Sequence, residues 1–305
     1  MSEASGSAPS PIPIGEIANP PFVRLPDPTI HFRQRAQRFA LLAPGHDLEP
    51  YLRFMAGLSE AQHRSQEGAR EAELPASDVL ECARAFAMPP LDHGKFTADV
   101  AFNAALDRLL ALASEIEMPA EARLALECAA RRDASSRDAM ARSVLSEPAA
   151  IEALAERVFL AAALQVHFAR LAARLDANAL VPVGEGACPT CGSRPVSSLV
   201  VGWRGAHNTR FCACSLCSTL WHTVRIKCVL CGSTKGISYQ EIEGGPGTVR
   251  AETCDSCGCY VKILQQQVDP SLDPVADDVA TLSLDLLVRE AGYRRGAINP
   301  FLLGY

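Results

Sequence analysis

The chain has 305 residues, 48% hydrophobic and 21% charged, an ordinary globular balance that excludes a wholly disordered chain. At roughly 100 to 200 residues per domain, this length predicts two or three domains. A formal net charge of −6 and a pI near 5.7 argue against coating nucleic acid through bulk charge.

Residues 1–27 are proline-rich and lack the basic start and unbroken apolar run of a secretory signal. They predict an extended, mobile leader lying over the domain behind it. Without an export mark, a cytoplasmic setting with reduced thiols is expected.

Residues 28–180 predict an α-helical domain, rich in Ala, Leu, Glu and Arg with little β-branched clustering. Helices are expected near 29–42, 47–70, 76–87, 97–114, 119–132 and 135–145, separated at Pro44-Gly45, Pro89-Pro90 and Pro119. The clearest helix is expected over 148–176, capped by Ser146 with Pro148 in its first turn. Its apolar face runs through Ile151, Leu154, Val158, Ala162, Gln165 or Val166, and Ala169. The stretch from Ile151 to Leu175 is the most apolar, but it carries Glu152, Glu156, Arg157, Arg170 and Arg174, so no membrane span is expected. His31, His63, His93 and His167 are scattered singly and read as surface or satisfied histidines. Cys82 and Cys128 read as small core residues on alanine-rich helices.

Composition changes after Val181. Strands are expected near 198–203, 221–226, 237–242 and 260–264. A last helix should run from about Asp277 to Gly292, capped by Asp277 or Asp278, with Val279, Leu282 and Leu286 on its apolar face. The tail from Gly296 is apolar enough to dock on the body.

Ten of the twelve cysteines lie between Cys188 and Cys259. They include four Cys-x-x-Cys pairs: Cys188/Cys191, Cys214/Cys217, Cys228/Cys231 and Cys254/Cys257. A shift of 40 positions carries the first two pairs onto the last two, and Cys188-Pro-Thr-Cys-Gly-Ser onto Cys228-Val-Leu-Cys-Gly-Ser. This is an internal duplication. In a reducing compartment, such pairs point to metal or redox chemistry rather than to disulfides. Two facing Cys-x-x-Cys turns make a closed tetrahedral four-sulfur site. Gly192, Gly232 and Gly258 follow the second cysteine of their turns, whereas Ser218 stands at the fourth such place. Sequential grouping joins Cys188, Cys191, Cys214 and Cys217 at one ion and Cys228, Cys231, Cys254 and Cys257 at another. Interleaving the two units is the alternative and needs longer loop excursions. Cys212 and Cys259 are left over as free thiols beside the sites. His222 would serve as a ligand only if a cysteine were missing. Zinc and a single iron both suit such sites.

Residues 188–264 carry eight Lys or Arg against four Asp or Glu. Filled with divalent ions, the sites bring this +4 near zero; ferric ions leave about +2, too little for a nucleic-acid-binding zinc ribbon. The residues up to 187 sum to −7. No nucleophile–base set, phosphate loop or open metal position marks an enzyme.

The run Cys188-Pro-Thr-Cys-Gly-Ser-Arg-Pro-Val-Ser-Ser, the segment Trp221-His-Thr-Val-Arg-Ile-Lys-Cys, Tyr260-Val-Lys-Ile-Leu, Val275-Ala-Asp-Asp and Ile298-Asn-Pro-Phe-Leu resemble the formate dehydrogenase accessory protein family, FdhE. The resemblance is strong from Cys188 onward and looser in the helical half, where Tyr51-Leu-Arg-Phe carries it. It implies a cytoplasmic, non-catalytic, rubredoxin-like protein with mononuclear iron at its eight knuckle cysteines, zinc being the alternative. The implied partner is the catalytic subunit of respiratory formate dehydrogenase, bound before export. The competing functions are a structural zinc-ribbon chaperone without redox role and a nucleic-acid-binding ribbon. The expected fold is α+β: an all-α N-terminal bundle, two tandem rubredoxin-like or zinc-ribbon-like β units over 186–226 and 227–266, and a C-terminal helix and tail over 267–305.

Overall fold

The computed structural model describes residues 20–146 and 154–302. Most of the leader, the predicted start of the 148–176 helix and the last three tail residues lie outside the described residues. Among the described residues, seven α-helices build the N-terminal half: α1 (His31–Leu42), α2 (Glu49–Arg64), α3 (Ser77–Ala85), α4 (Val100–Ala113), α5 (Ala120–Arg131), α6 (Ala134–Leu145) and α7 (Leu154–Ala172). Local chemistry sets several starts. The Asp99 and Asp133 carboxylates accept the Phe102 and Ser136 N–H groups at the heads of α4 and α6, and a proline stands in the first turn of α2.

Helix α7 is the axis of the bundle. From Phe159 to Ala169 every residue is buried, so burial wraps the whole helix instead of following the single stripe its spacing suggested. Phe32, Phe39, Leu52, Met55, Phe102 and Leu109 pack in the same core. Ser146, expected to cap the next helix, instead closes α6, since its N–H and hydroxyl both donate to the Arg142 carbonyl; the first turn expected at Pro148 lies outside the described residues. Cys128 is half-buried, but Cys82 is exposed because α3 buries only Ala83. Among the described residues, no helix is long and apolar enough to cross a membrane.

The strands are β1 (Val23–Arg24), β2 (Pro195–Val201), β3 (Thr209–Cys214), β4 (Leu220–Thr223), β5 (Ile237–Gln240), β6 (Val249–Cys254), β7 (Cys259–Leu264) and β8 (Arg294–Arg295). They form one sheet in the order β1-β4-β3-β2-β7-β6-β5, with β8 beside β7. The 40-residue shift carries β3 onto β6 residue for residue. The repeats join where β2 runs parallel to β7, with Ser198 opposite Ile263 and Leu199 opposite Leu264. Arg210 of the first repeat and Glu252 of the second meet inside this sheet. Two hydrogen bonds of 2.8 and 2.9 Å link them, and each side chain is at most 3% exposed. The end of the leader enters the sheet as β1, antiparallel to β4.

The predicted C-terminal helix is broken into α8 (Ala276–Ala280) and α9 (Leu282–Glu290). Thr281, at φ −105° and ψ 34°, interrupts it. The break rotates the second half, so Leu284 and Val288 turn inward and Leu286 is exposed. Asp273 caps α8 by accepting the Val275 and Ala276 N–H groups. Asp277 and Asp278, expected as caps, are ion partners instead: Asp277 takes Arg38 from α1, and Asp278 takes Lys262 and Arg295. Asp285 also meets Lys262 and Arg295 at 2.5 Å, so Asp278 and Asp285 together balance these two buried cations. Removing one member would strand a charge, at a cost of about 3–5 kcal/mol. In the described part of the tail Phe301 and Leu302 are buried, and the Tyr51 hydroxyl donates to the Phe301 carbonyl.

Candidate metal centres

Each sulfur group is assembled from the loop before a unit's first strand and the turn joining its last two strands. Cys188 and Cys191 precede β2, and Cys214 and Cys217 turn from β3 to β4. Cys228 and Cys231 precede β5, and Cys254 and Cys257 turn from β6 to β7. The Gly192, Gly232 and Gly258 N–H groups fold back onto the carbonyls of Cys188, Cys228 and Cys254 at 2.8–2.9 Å. All three glycines have positive φ, and so does Ser218 at +60°. The fourth knuckle therefore keeps its shape, with a serine bearing the left-handed conformation.

The four Sγ atoms of each group lie within 4.8 Å of one another, in the sequential grouping and not the interleaved one. Separations are 3.6 Å for Cys188–Cys217, 3.4 Å for Cys191–Cys214, 3.9 Å for Cys228–Cys257 and 3.8 Å for Cys231–Cys254. Sulfurs about 2.3 Å from a central ion stand about 3.8 Å apart at tetrahedral corners, whereas a disulfide needs about 2.05 Å. The spacing suits an ion.

Electrostatics points the same way. Burial pushes the Cys188 and Cys214 thiols well above their ordinary range. Burial opposes the Cys191 thiolate too, but hydrogen bonds from the Cys188, Cys214 and Cys217 thiols hold it well below that range. In the second group burial raises Cys228 to about 11. Cys254 is held low, against burial, by the Cys257 and Ser256 N–H groups and by neighbouring thiols. Several thiolates this close cannot all ionise unaided. A thiophilic cation relieves that conflict, and both iron and zinc accept the donor set.

The leftover thiols stay outside both groups. Cys212 is buried and pushed up to about 11 by that burial, 3.9 Å from the Thr223 hydroxyl. The half-buried Cys259 thiol faces the Cys257 carbonyl at 3.5 Å. His222 packs its ring against Phe211. His167 sits among Phe96, Phe102 and Phe168, and the Arg35 guanidinium donates to buried His31 at 2.7 Å.

Two residues that the sequence offered only as a satisfied histidine and as part of an apolar helix face hold the first group to the helices. The His93 N–H and its ring Nδ1 both donate to the Cys191 carbonyl, at 3.1 and 2.8 Å. Gln165 of α7 donates to the Ser215 carbonyl at 2.7 Å, while its own carbonyl accepts from Arg35 and Gln62. A single histidine and a glutamine on an apolar helix leave no spacing pattern to detect.

Three family profiles match in succession: "FdhE, N-terminal" over residues 20–185, "FdhE, central domain" over 187–225 and "FdhE, C-terminal domain" over 226–302. The chain is 44% identical to the protein FdhE homolog of Rhizobium meliloti (strain 1021), across 97% of this chain and 98% of that relative. It is 35% identical to the protein FdhE of Salmonella paratyphi B, across 89% and 87%. The crystal structure of the FdhE protein from Pseudomonas aeruginosa superposes with a TM-score of 0.83 at 33% identity, over 93% of this chain and 99% of that one.

Proposed function

Because the chain belongs to the FdhE family of formate dehydrogenase accessory proteins, we propose that it serves the maturation of a respiratory formate dehydrogenase. In this reading it binds the catalytic subunit in the cytoplasm before export and is not itself an enzyme. Cys188, Cys191, Cys214 and Cys217 hold one iron, and Cys228, Cys231, Cys254 and Cys257 hold the other.

The observation that carries the reading is the pair of closed four-sulfur groups. Four thiolates fill a tetrahedral ion and leave no position for a substrate, so the chain works on a partner. Bound iron supplies one-electron chemistry, whereas zinc supplies cohesion alone. The Leu216 and Cys217 N–H groups approach the Cys214 sulfur at 3.4 and 3.3 Å. They draw charge off that sulfur and so favour the reduced state of a bound iron. The burial of the first group favours a second reading there, a structural zinc staple. Near-zero charge around the filled sites supports a protein partner over nucleic acid. The division into 1–27, 28–180, 186–226, 227–266 and 267–305 belongs to the same proposal.

The test has two parts. Anaerobically purified chain should carry two irons and ferric–thiolate absorption bands; two zincs and a colourless protein select the staple reading. The chain should also co-purify with the catalytic subunit, and its deletion should abolish formate oxidation. No complex and full oxidation without the chain would sink the accessory role.

A further inference from the structure

The two sulfur groups share a knuckle design but not an environment. Cys188, Cys191, Cys214 and Cys217 are all at most 2% exposed. The helical half seals them: the Leu91 N–H donates to the Thr190 carbonyl at 2.9 Å, and His93 and Gln165 hold the carbonyls already described. A side chain at Gly192 would stand 3.2 Å from Pro89 and 3.5 Å from the His93 ring. In the second group Cys231 is exposed and Cys257 half-buried, a side chain at Gly232, the equivalent of Gly192, would meet only the partly exposed Glu185 and Lys227 side chains at 3.3 Å, and one at Gly258 would meet open space. This group stands at the end of the sheet where β5 pairs with β6 alone.

We propose that the second group is an exchange port, which gives up and takes back its ion through Cys231 to thiol or chelator ligands arriving from solvent. The first group keeps its ion for as long as the chain stays folded. The proposal rests on the metal reading above. In the exchange, the entering donor bonds to the ion as the Cys231 sulfur leaves. The freed Cys231 thiolate takes up the proton that the entering thiol gives up, Cys228, Cys254 and Cys257 stay bound until further donors displace them in the same way, and no electrons change hands. At the first group a cavity beside α1 reaches Cys214 and Ser218, but all four cysteines are at most 2% exposed, so a ligand meets their sulfurs only after the packing of helices on knuckles opens. Its release is therefore tied to large-scale opening, whereas the second group opens locally. A cysteine of a docked protein is chemically one such entering thiol.

The test uses the full chain, loaded anaerobically with two ions and mixed with excess 4-(2-pyridylazo)resorcinol. Pulses of iodoacetamide during release, mapped by mass spectrometry, report which cysteines come free. We expect two phases of about one ion each, separated by at least about 100-fold in rate. The fast phase labels Cys228, Cys231, Cys254 and Cys257, and the slow phase labels the first group at the rate of global unfolding. A single phase, or first-group cysteines labelled in the fast phase, overturns the proposal while leaving the metal reading intact. Fewer than two ions per chain after loading overturns the metal reading, and the port falls with it.

Discussion

The first and second sulfur groups arise from one duplicated unit, with the same Cys-x-x-Cys turns and a positive-φ residue after each turn. One is enclosed between the sheet and the helices; the other stands at the sheet's end with Cys231 in solvent. The spacing of donors determines which chemistry a site can hold, and the packing around it determines whether anything outside can reach that chemistry.

The sharpest way to break this comparison is to remove one sulfur from each group. Cys191→Ser leaves buried thiols without their ion under the helical half. Structural ion binding is worth on the order of 10 kcal/mol, comparable to the whole stability of a domain. Its helical circular dichroism should lose the cooperative melt. Cys231→Ser should keep that melt within a few degrees and lose one ion by elemental analysis. Equal damage from both substitutions would erase the distinction.

Gln165→Leu removes the bond to the Ser215 carbonyl and the acceptor of buried Arg35. Its expected cost is about 2–4 kcal/mol in urea unfolding, with first-group cysteines becoming open to alkylation.

Acid should also weaken the helical half. Burial lowers His31 to about 3 and His167 to about 4, against about 6.5 in the unfolded chain. Their contribution is complete above pH 6.5 and is lost as pH falls toward those folded values. Each histidine should remove about 2 kcal/mol between pH 7 and 5. His167→Phe, placed among three phenylalanines, should flatten this acid limb in urea titrations; an unchanged slope would refute the assignment.

Smaller effects probe the knuckles. A Cβ on Gly296 would lie 2.0 Å from Leu230 Cδ1, so Gly296→Ala presses on the second group's first turn. It should cost about 1 kcal/mol and speed ion release to a chelator without moving the helical melt. Ser218→Gly relieves the left-handed serine and should raise stability by about 0.5 kcal/mol, read as a small increase in melting temperature.

Much of this architecture was legible from the chain. Cysteine spacing and the 40-residue shift placed both sulfur groups, and Pro and Gly breaks separated the helices. What escaped depends on partners distant in sequence. The parallel contact of β2 with β7 joins residues 65 positions apart, and no local period encodes it. Asp277 and Asp278 looked like caps because acids favour helix starts, but their partners are Arg38, Lys262 and Arg295. Cys82 looked like core because its helix is apolar in composition, yet little packs against that helix. The unequal exposure of the two groups was equally hidden, since His93 and Gln165 carry no motif.

Arg210 and Glu252 occupy non-equivalent places in the repeat. A shift of 40 carries Arg210 onto Arg250, which instead bonds Glu241 at 2.7 Å near the surface, and returns Glu252 onto Cys212. Two copies of the first unit would seat a buried guanidinium opposite a thiol, and two copies of the second would keep an arginine opposite Glu252 but bury a further glutamate at the place of Cys212. Each half has become the other's counter-ion, so the once-interchangeable copies are now heritable only as a pair.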